Sequence, residues 1–364
     1  MDVQDRVVKV IGGEMPDRVP IFIPGFEPRF LETFDAAHDD AAGSKICICN
    51  GKDLTPLVHL GVDLCEVPGP PHLKPEQELP RLDDEFMAVD MFGRVFKRHV
   101  SGNVEYLDYQ GPYLRTEDAI KQWNHLIPQQ IDPDWYDRVY KETLACVDTH
   151  AICPLFKACD GIYSILEQAI GIENMAFMLH DKPEMIDFLL DKIYKIVIND
   201  VKGLLDAKVA FILICDDITI ENHPSITPDL VEKHLLPLYT KLVDRVHTSG
   251  GKAFFRTTGD VLNVIGTLVK AGFDAVHVTN PEPSYLEEAK MFWGDRICII
   301  GNLDVMSVLS LSTPIQVKRK VKELLDIAKG SGRYIFGTND VLINSAKLGN
   351  VEAMIAAAKQ HGMY

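Results

Sequence analysis

From about residue 150 onward, short apolar runs alternate with long segments in which apolar residues recur every three or four positions. This alternation predicts parallel strands joined by crossover helices. The strands predicted in this half cover residues 151–156, 210–215, 252–255, 274–278, 297–300 and 333–336. Apolar runs at residues 19–23 and 62–66 raise the total to eight, and eight such repeats predict a (β/α)8 TIM barrel.

Two of the predicted crossover helices carry clear start signals. Pro183 opens one long amphipathic helix. Thr227 and Pro228 supply the N-cap and first position of another, which we expect to stop at Gly250 and Gly251. Both helices are long enough to bridge neighbouring parallel strands.

One stretch interrupts the strand and helix alternation. Residues 84–109 lack a helical period and have β-rich halves on either side of Ser101-Gly102-Asn103. This pattern predicts a β-hairpin inserted into the barrel. Since no low-complexity or Ser/Gly-rich linker appears, we expect a single domain over residues 1–364.

The charge composition limits the classes of partner that we expect. Lys and Arg total 37 against 53 Asp and Glu, which gives a net charge of −16. An excess of negative charge repels nucleic acids and anionic membranes, so we expect neither as a partner. The sequence has no apolar run long enough to span a membrane, and acidic residues occur among the first ten. We therefore expect a cytoplasmic protein.

The eight cysteines are too few for a disulfide framework in a chain of 364 residues. Most lie in apolar runs, which predicts reduced, buried thiols. Cys47 and Cys49 alternate with isoleucines, a pattern that favours a strand with two small apolar residues on one face. A metal or redox site at this pair is the alternative.

In a TIM barrel, functional side chains follow the strands at the C-terminal face. The polar residues at these places, with one flanking aromatic, are Phe26, Glu27, Glu66, Lys157, Asp160, Asp216, Asp217, Arg256, His277, Asn280, Asn302 and Asn339. They predict a polar ring around the barrel mouth.

Several members of this ring allow two interpretations. Adjacent strand residues point in opposite directions, so only one of Asp216 and Asp217 can face the mouth, while the other caps a loop or pairs with an arginine. His277 is either a buried core residue or an acid, base or ligand. Arg256 follows two phenylalanines and needs a carboxylate partner or an anionic ligand. Asn302 or Asp304 could instead cap a helix.

Further segments carry a family resemblance. They are Asp17-Arg18-Val19-Pro20, Gly111-Pro112-Tyr113, Ser225-Ile226-Thr227-Pro228, His247-Thr248-Ser249-Gly250-Gly251-Lys252, Ala271-Gly272-Phe273-Asp274-Ala275-Val276-His277, Gly301-Asn302-Leu303-Asp304, Asn350-Val351-Glu352-Ala353-Met354 and Gly362-Met363-Tyr364. Their order and spacing over nearly the whole chain resemble the uroporphyrinogen decarboxylase superfamily. That resemblance also implies an eight-stranded barrel.

Two branches of the superfamily fit poorly. Members that decarboxylate uroporphyrinogen carry an arginine-rich segment after the first strand, whereas residues 23–30 here contain one arginine, Arg29. Methanol and methylamine methyltransferases bind zinc through His-x-Cys after the fifth strand and a cysteine after the eighth. The corresponding places here are Arg256-Thr257-Thr258 and Gly337-Thr338-Asn339, so that zinc triad is absent. The sequence is most similar to the corrinoid-dependent methyltransferases of the methoxyarene O-demethylase type.

This resemblance implies a function and a partner. The barrel protein would hold a small aromatic methyl ether while a corrinoid protein presents cob(I)alamin, which accepts the methyl group. We expect His277, Asp217 and Arg256 to be catalytic, with His277 or Arg256 stabilising the departing phenolate. Asp217 would orient His277 or share a zinc ion with it.

The remaining expected site residues bind substrate. They are Phe26, Glu27, Asp216, Asn280, Asn302 and Asn339. Two other functions stay open: a cofactor-free decarboxylase or lyase of a small carboxylic acid, which Arg256 would favour, and a non-catalytic docking partner of a corrinoid protein.

Overall fold

The computed structural model describes residues 1–38, 46–71, 79–84, 86–101, 104–220, 223–224 and 226–364. Eight parallel strands close into a barrel in chain order, with the last strand paired to the first. We label them β1 (Ile21–Phe22), β2 (Leu64–Val67), β3 (Cys153–Cys159), β4 (Phe211–Cys215), β5 (Lys252–Thr257), β6 (Ala275–Val278), β7 (Cys298–Leu303) and β8 (Tyr334–Thr338). The predicted (β/α)8 TIM barrel is confirmed.

Helices surround this barrel in the described part of the chain. The α-helices are α1 (Val3–Gly12), α2 (Pro28–Ala37), α3 (Thr55–Leu60), α4 (Glu117–Gln122), α5 (Pro133–Leu144), α6 (Tyr163–Ile170), α7 (Ile172–Asp181), α8 (Pro183–Asp206), α9 (Pro228–Leu230), α10 (Leu236–Thr248), α11 (Leu262–Ala271), α12 (Pro283–Trp293), α13 (Pro314–Ala328) and α14 (Leu348–His361). π-Helical segments occupy Ala145–Thr149, Val231–Leu235 and Val305–Leu311. None of the helices in the described ranges is long and apolar enough to cross a membrane.

The observed helix starts agree with the predicted starts better than the observed ends agree with the predicted ends. Pro183 opens α8, and Thr227 is the N-cap of α9 with Pro228 at its first position. α10 ends at Thr248, short of the predicted stop, and Gly250 then adopts a left-handed φ of 80°. The glycine pair therefore forms the turn into β5 rather than the helix terminus itself.

Several strands differ in length from prediction, and β7 and β3 each run three residues past their predicted ends. β1 has two residues in the ladder instead of the predicted five, because it pairs only briefly with β2 and β8. β3 runs three residues past its predicted end at Phe156, and its pairing with β4 shifts register between Lys157 and Cys159. This bulge extends β3 toward the barrel mouth.

The predicted hairpin insertion is present and larger than expected. Strands Arg94–Ser101 and Val104–Pro112 pair antiparallel, and a third strand, Met87–Val89, lies beside the first. The expected turn residues Gly102 and Asn103 lie outside the described residues. Two shorter hairpins pair Ile48–Cys49 with Lys52–Asp53 and Thr219–Ile220 with His223–Pro224.

The barrel interior is an apolar cluster separate from the larger core under the helices. Strand residues such as Phe22, Leu64 and Phe254 fill it, and α1 packs Val7 and Val10 against them. Side chains alternate along a strand, so residues two positions beyond these inward ones also face the barrel axis. At the carboxyl ends those positions hold polar residues: Glu66, Lys157, Arg256 and His277.

The cysteines follow the alternation predicted for residues 46–49. Cys47 and Cys49 are buried at 2% and 0% exposure, while Ile46 and Ile48 are 49% and 41% exposed. Cys47 Sγ lies 3.3 Å from Cys146 Sγ. All seven cysteines whose side chains the structure describes are free and buried, as predicted.

The opposite, amino-terminal end of the barrel is closed by an ionic network around Asp63. Its carboxylate accepts hydrogen bonds from Arg6 Nη1 at 2.9 Å, Arg18 Nη1 at 2.6 Å and the backbone of Ile21 at 2.8 Å. Asp63 is only 2% exposed. These contacts join α1, the start of β1 and the start of β2.

We expect Asp63→Asn to lower the free energy of unfolding by about 3 kcal/mol. The change leaves the largely buried Arg18 without its carboxylate and removes one of the two carboxylates that bind Arg6, whose other partner is Asp17. Denaturant titration followed by circular dichroism measures this loss. The exposed Lys322–Asp326 pair is the matched control, and Asp326→Asn should cost less than about 1 kcal/mol. Equal losses in the two variants would contradict this account of the barrel floor.

Candidate active site

An ion pair crosses the mouth of the barrel. Arg256, at the end of β5, donates from Nη1 to Glu66 Oε1 on β2 at 2.5 Å, and these side chains are 26% and 12% exposed. β3 and β4 lie between these two strands, so the guanidinium reaches over the barrel axis. The carboxylate partner expected for Arg256 is therefore Glu66. A charge-assisted hydrogen bond in this partly buried place fixes the guanidinium.

A second ionic group joins the inserted sheet to the mouth. Lys157 Nζ lies 2.6 Å from Asp160 Oδ1, and Arg94 Nη1 lies 3.5 Å from the other oxygen of Asp160. Arg94 also binds Asp90 Oδ2 at 2.6 Å. Burial alone would raise the pKa of Asp160, but Lys157 and Arg94 hold that pKa below its ordinary value. The insertion thus shapes one side of the site.

Lys52 also reaches the mouth, and sequence reasoning missed it. Its ammonium donates to Pro24 O at 2.9 Å and to Glu66 O at 2.6 Å. Lys52 follows no barrel strand, so inspection of strand ends could not find it. The signal available was the Asn50-Gly51 pair just before it, since Asn-Gly is the commonest tight hairpin turn.

His277 lies inside the barrel rather than on its rim. The residue is 2% exposed, its ring packs edge-on against Phe22 at 5.1 Å between centroids, and Nε2 lies 2.9 Å from Thr338 O. A carbonyl oxygen only accepts, so Nε2 carries the proton and Nδ1 is an acceptor. Burial, together with the charge of Arg256, lowers the pKa of His277 to about 3. The imidazole is neutral near pH 7, and its only proton is already donated.

Asp216 is not a substrate ligand, contrary to the prediction from sequence. The side chain is fully buried and accepts hydrogen bonds from the backbone amides of Ile162, Tyr163 and Ser164 at 2.8 to 3.0 Å. Tyr239 Oη donates to it as well, at 2.7 Å. The carboxylate therefore holds the amino-terminal end of α6 and has no oxygen left for a ligand.

Asp217 points the other way, as strand alternation requires. The residue is exposed, and its Oδ1 accepts the backbone amide of Thr258 at 2.9 Å. Asp217 also lies close enough to Arg256 to stabilise the positive charge of its guanidinium. The expectation that one of the two aspartates caps while the other faces the mouth is met. The structure thus places Asp217, Arg256 and His277 at the ends of three consecutive strands, β4, β5 and β6.

The predicted zinc pair Asp217 and His277 does not fit a zinc ion. His277 can offer only Nδ1, because Nε2 is bonded to Thr338 O. In the ranges that the structure describes, no three side chains among His, Cys, Asp and Glu form a group able to hold a metal ion. A zinc site needs three or four such ligands, and Asp217 and His277 supply only two.

Asn302 was predicted to bind substrate; its Nδ2 holds a loop, while its Oδ1 has no hydrogen-bond partner among the described residues. It is fully buried, and its Nδ2 donates to Asn280 O at 2.6 Å and Glu282 O at 3.1 Å. Asp304 is the N-cap of the next helical segment, the alternative considered for this turn. Asn302 therefore positions the loop after β6.

The other predicted substrate residues stay predictions. Asn280 Oδ1 accepts Glu282 N within its own loop, and Asn339 Oδ1 accepts Val305 N at 3.0 Å. Glu27 Oε2 accepts Asn344 N at 2.6 Å, and Phe26 keeps a partly exposed ring. Asn280, Asn339 and Glu27 thus each accept a backbone amide that stabilises a loop.

The sequence matches a known protein family over most of its length. The profile of uroporphyrinogen decarboxylase (URO-D) matches residues 97–361. The chain belongs to the uroporphyrinogen decarboxylase family. No curated protein matches the sequence.

Similar solved structures include a methyltransferase from Methanosarcina mazei, with a TM-score of 0.65, 14% identity and 99% of each chain covered. The C-terminal domain of a putative chitinase from Desulfitobacterium hafniense matches with a TM-score of 0.46 and 8% identity over 95% of this chain and 99% of that one. At these identities the likeness shows the fold.

We expect substitutions of the two neighbouring aspartates to lower stability by different amounts. Asp216→Asn should lower the free energy of unfolding by about 2 to 3 kcal/mol, because an amide replaces a buried charged acceptor with a group that also donates. Asp217→Asn should change it by less than about 1 kcal/mol, as the residue is exposed. Denaturant titration of the two variants measures the contrast. Similar losses in both would refute the assignment of Asp216 as the cap.

Proposed function

We propose that this protein transfers a methyl group from a small aryl methyl ether to the cob(I)alamin of a partner corrinoid protein. The observation that carries the proposal is the identity of the groups at the end of β5. Arg256, paired to Glu66, occupies the place where zinc-dependent methyltransferases of this family carry His-x-Cys. A guanidinium suits a developing oxyanion, whereas a zinc and sulfur site suits activation of a thiol.

Two further observations support the same branch. The segment after β1, residues 23–30, contains one arginine, Arg29. One arginine cannot neutralise the many carboxylates of a tetrapyrrole. The family membership and the fold shared with a methyltransferase over the whole chain agree with methyl transfer. The corrinoid supplies the nucleophile that accepts the methyl group, so this chain has to bind the ether and stabilise its departing oxygen.

Arg256 is the group best placed for that second task. Guanidinium has five N–H donors and stays charged at all physiological pH values, so the bond to Glu66 leaves others for a ligand oxygen. Glu66 holds it in place before the substrate arrives, which avoids reorganisation during the reaction. In the observed state, His277 donates its one proton to Thr338 O, so the role of its imidazole stays a prediction.

A cofactor-free decarboxylase or lyase of a small acid is the second candidate. Lys52 and Lys157, together with Arg256, give the mouth three cations that could bind a carboxylate. This candidate predicts release of CO₂ or cleavage of an acid without any corrinoid.

A single assay separates these functions. Purified protein is mixed with aryl methyl ethers and reduced corrinoid protein under anaerobic conditions, and cob(I)alamin absorbance and released phenol are followed. We expect phenol in amounts equal to the cob(I)alamin consumed, and none when corrinoid is omitted. Acid cleavage without corrinoid would establish the second candidate, and absence of phenol with every ether tested would overturn our proposal.

Arg256→Lys should lower the rate of methyl transfer by about a hundredfold. Lysine keeps the charge but loses the planar fork that can contact Glu66 and the departing oxygen together. This contact strengthens in the transition state, so substrate affinity should change much less. Single-turnover rates and equilibrium binding measure the two effects. An equal loss in both would show that Arg256 only binds the ground state.

His277→Ala tests the role predicted for the imidazole from sequence. If the ring takes part in leaving-group stabilisation, transfer should fall by about a hundredfold at little-changed affinity. Near-normal transfer by the variant would identify His277 as a buried residue that holds Thr338 in place and would leave Arg256 with the role.

A further inference from the structure

Three buried thiols meet at the hairpin that carries Lys52. Cys47 Sγ lies 3.3 Å from Cys146 Sγ, and Cys49 lies within hydrogen-bond reach of Cys146 as well. Cys47 and Cys49 belong to the segment of residues 46–53, which we call the Lys52 hairpin, whereas Cys146 lies 99 residues beyond Cys47. The contact therefore joins two distant parts of the chain.

Neighbouring hydrogen bonds hold the Lys52 hairpin against α5. The backbone amide of Asn50 donates to Glu142 Oε2 at 2.7 Å, and Asn50 Oδ1 accepts Trp135 Nε1 at 2.8 Å. Cys146 lies in the π-helical segment Ala145–Thr149, which directly follows α5. Such segments occur often at functional sites. The two sulfur atoms thus belong to elements that other contacts already keep together.

A disulfide between Cys47 and Cys146 requires only a small movement. The sulfur atoms lie 3.3 Å apart, and a disulfide bond is about 2.05 Å long, so they have to approach by about 1 Å. Both residues are buried, at 2% and 1% exposure, which keeps other thiol-containing molecules away from them. Each of the two thiols is therefore the other's natural reaction partner.

Both thiols are protonated near neutral pH. The contact with Cys146, together with burial, raises the pKa of the Cys47 thiol. The contact with Cys47 favours the thiolate of Cys146, but the contact with Cys49 and burial outweigh it and raise the pKa of Cys146 to about 12. The thiolate is the reactive form, so these thiols stay reduced unless an oxidant reaches them, and their oxidation is slow. A small, neutral peroxide suits such a buried place best.

We propose that Cys47 and Cys146 form a reversible disulfide when a peroxide oxidises the protein, and that this bond ties the Lys52 hairpin to the end of α5. Cys146 first attacks the peroxide, which yields a sulfenic acid and one water molecule. The Cys47 sulfur then attacks the sulfenic sulfur, and a second water molecule leaves. The two thiols together lose two protons and two electrons, and these reduce the peroxide to water.

The bond would act on the segment that delivers Lys52 to the barrel mouth, where its ammonium donates to Pro24 O and Glu66 O. The oxidation state of the thiols is thereby linked to the freedom of a residue at the mouth. The inference is independent of the proposed function, because it needs neither the ether nor the corrinoid.

Peptide mapping of the full chain tests the proposal. The folded protein is treated with hydrogen peroxide, its remaining thiols are alkylated in denaturant, and it is digested with trypsin. Cleavage after lysine leaves Cys47 and Cys49 in the peptide of residues 46–52 and Cys146 in that of residues 142–157. Mass spectrometry should show these two peptides joined with the loss of two hydrogen atoms, and dithiothreitol should separate them.

Single substitutions identify the linked pair. Cys47→Ala and Cys146→Ala should each lower the yield of the joined peptides by at least about tenfold, since each removes one sulfur of the bond. Cys49→Ala should leave the yield little changed. Cys298→Ala, at an equally buried cysteine inside the barrel, is the matched control and should also leave it little changed. Denaturant titration identifies any variant that fails to fold.

Hydrogen exchange tests the effect on the Lys52 hairpin. Backbone amides of residues 46–53 should exchange more slowly in the oxidised protein than in the reduced one, and Cys298→Ala should show the same difference. Thiols unchanged by peroxide, oxidation of Cys146 to sulfinic acid without joined peptides, or joining that persists in Cys47→Ala would overturn the disulfide. Equal exchange in the oxidised and reduced protein would refute its constraint on the hairpin.

Discussion

The ion pair between Arg256 and Glu66 organises the mouth of this barrel. It joins strands on different sides of the barrel axis over a sequence separation of 190 residues. Below it the interior is apolar, and above it the loops carry charge. A partly buried pair is costly to break from one side, since the remaining charge has no partner. The guanidinium is therefore held where a ligand can meet it without rearrangement.

Side chains alternate in direction along each strand. Neighbouring residues therefore differ in role: some hold the fold together and others face the mouth. Asp216 turns outward and caps α6, whereas its neighbour Asp217 turns toward the mouth. Asn302 was predicted to bind substrate and also positions the loop after β6 through its Nδ2. His277 points into the barrel and is kept neutral by burial. The mouth presents the cations Arg256, Lys52 and Lys157 together with the carboxylates of Glu66, Asp160 and Asp217.

Periodicity in the sequence predicts most of the architecture but less of the site. Eight apolar runs and the aperiodic insertion suffice for the barrel and its added sheet, because these depend on local alternation. The sequence contains many carboxylates, and the closure of the barrel decides which of them meets Arg256. Its partner therefore could not be predicted from the sequence. Lys52 escaped notice because a long side chain from a short hairpin reaches a site formed by other elements.

A crystal structure with a bound aryl methyl ether tests the central claim, that the barrel mouth binds and activates an aromatic ether, most directly. We predict the ether oxygen within hydrogen-bond distance of the Arg256 guanidinium. A ligand seated instead in the separate cavity between strand Val104–Pro112 and α7, which Tyr109, Arg115 and Asn174 line, would contradict it.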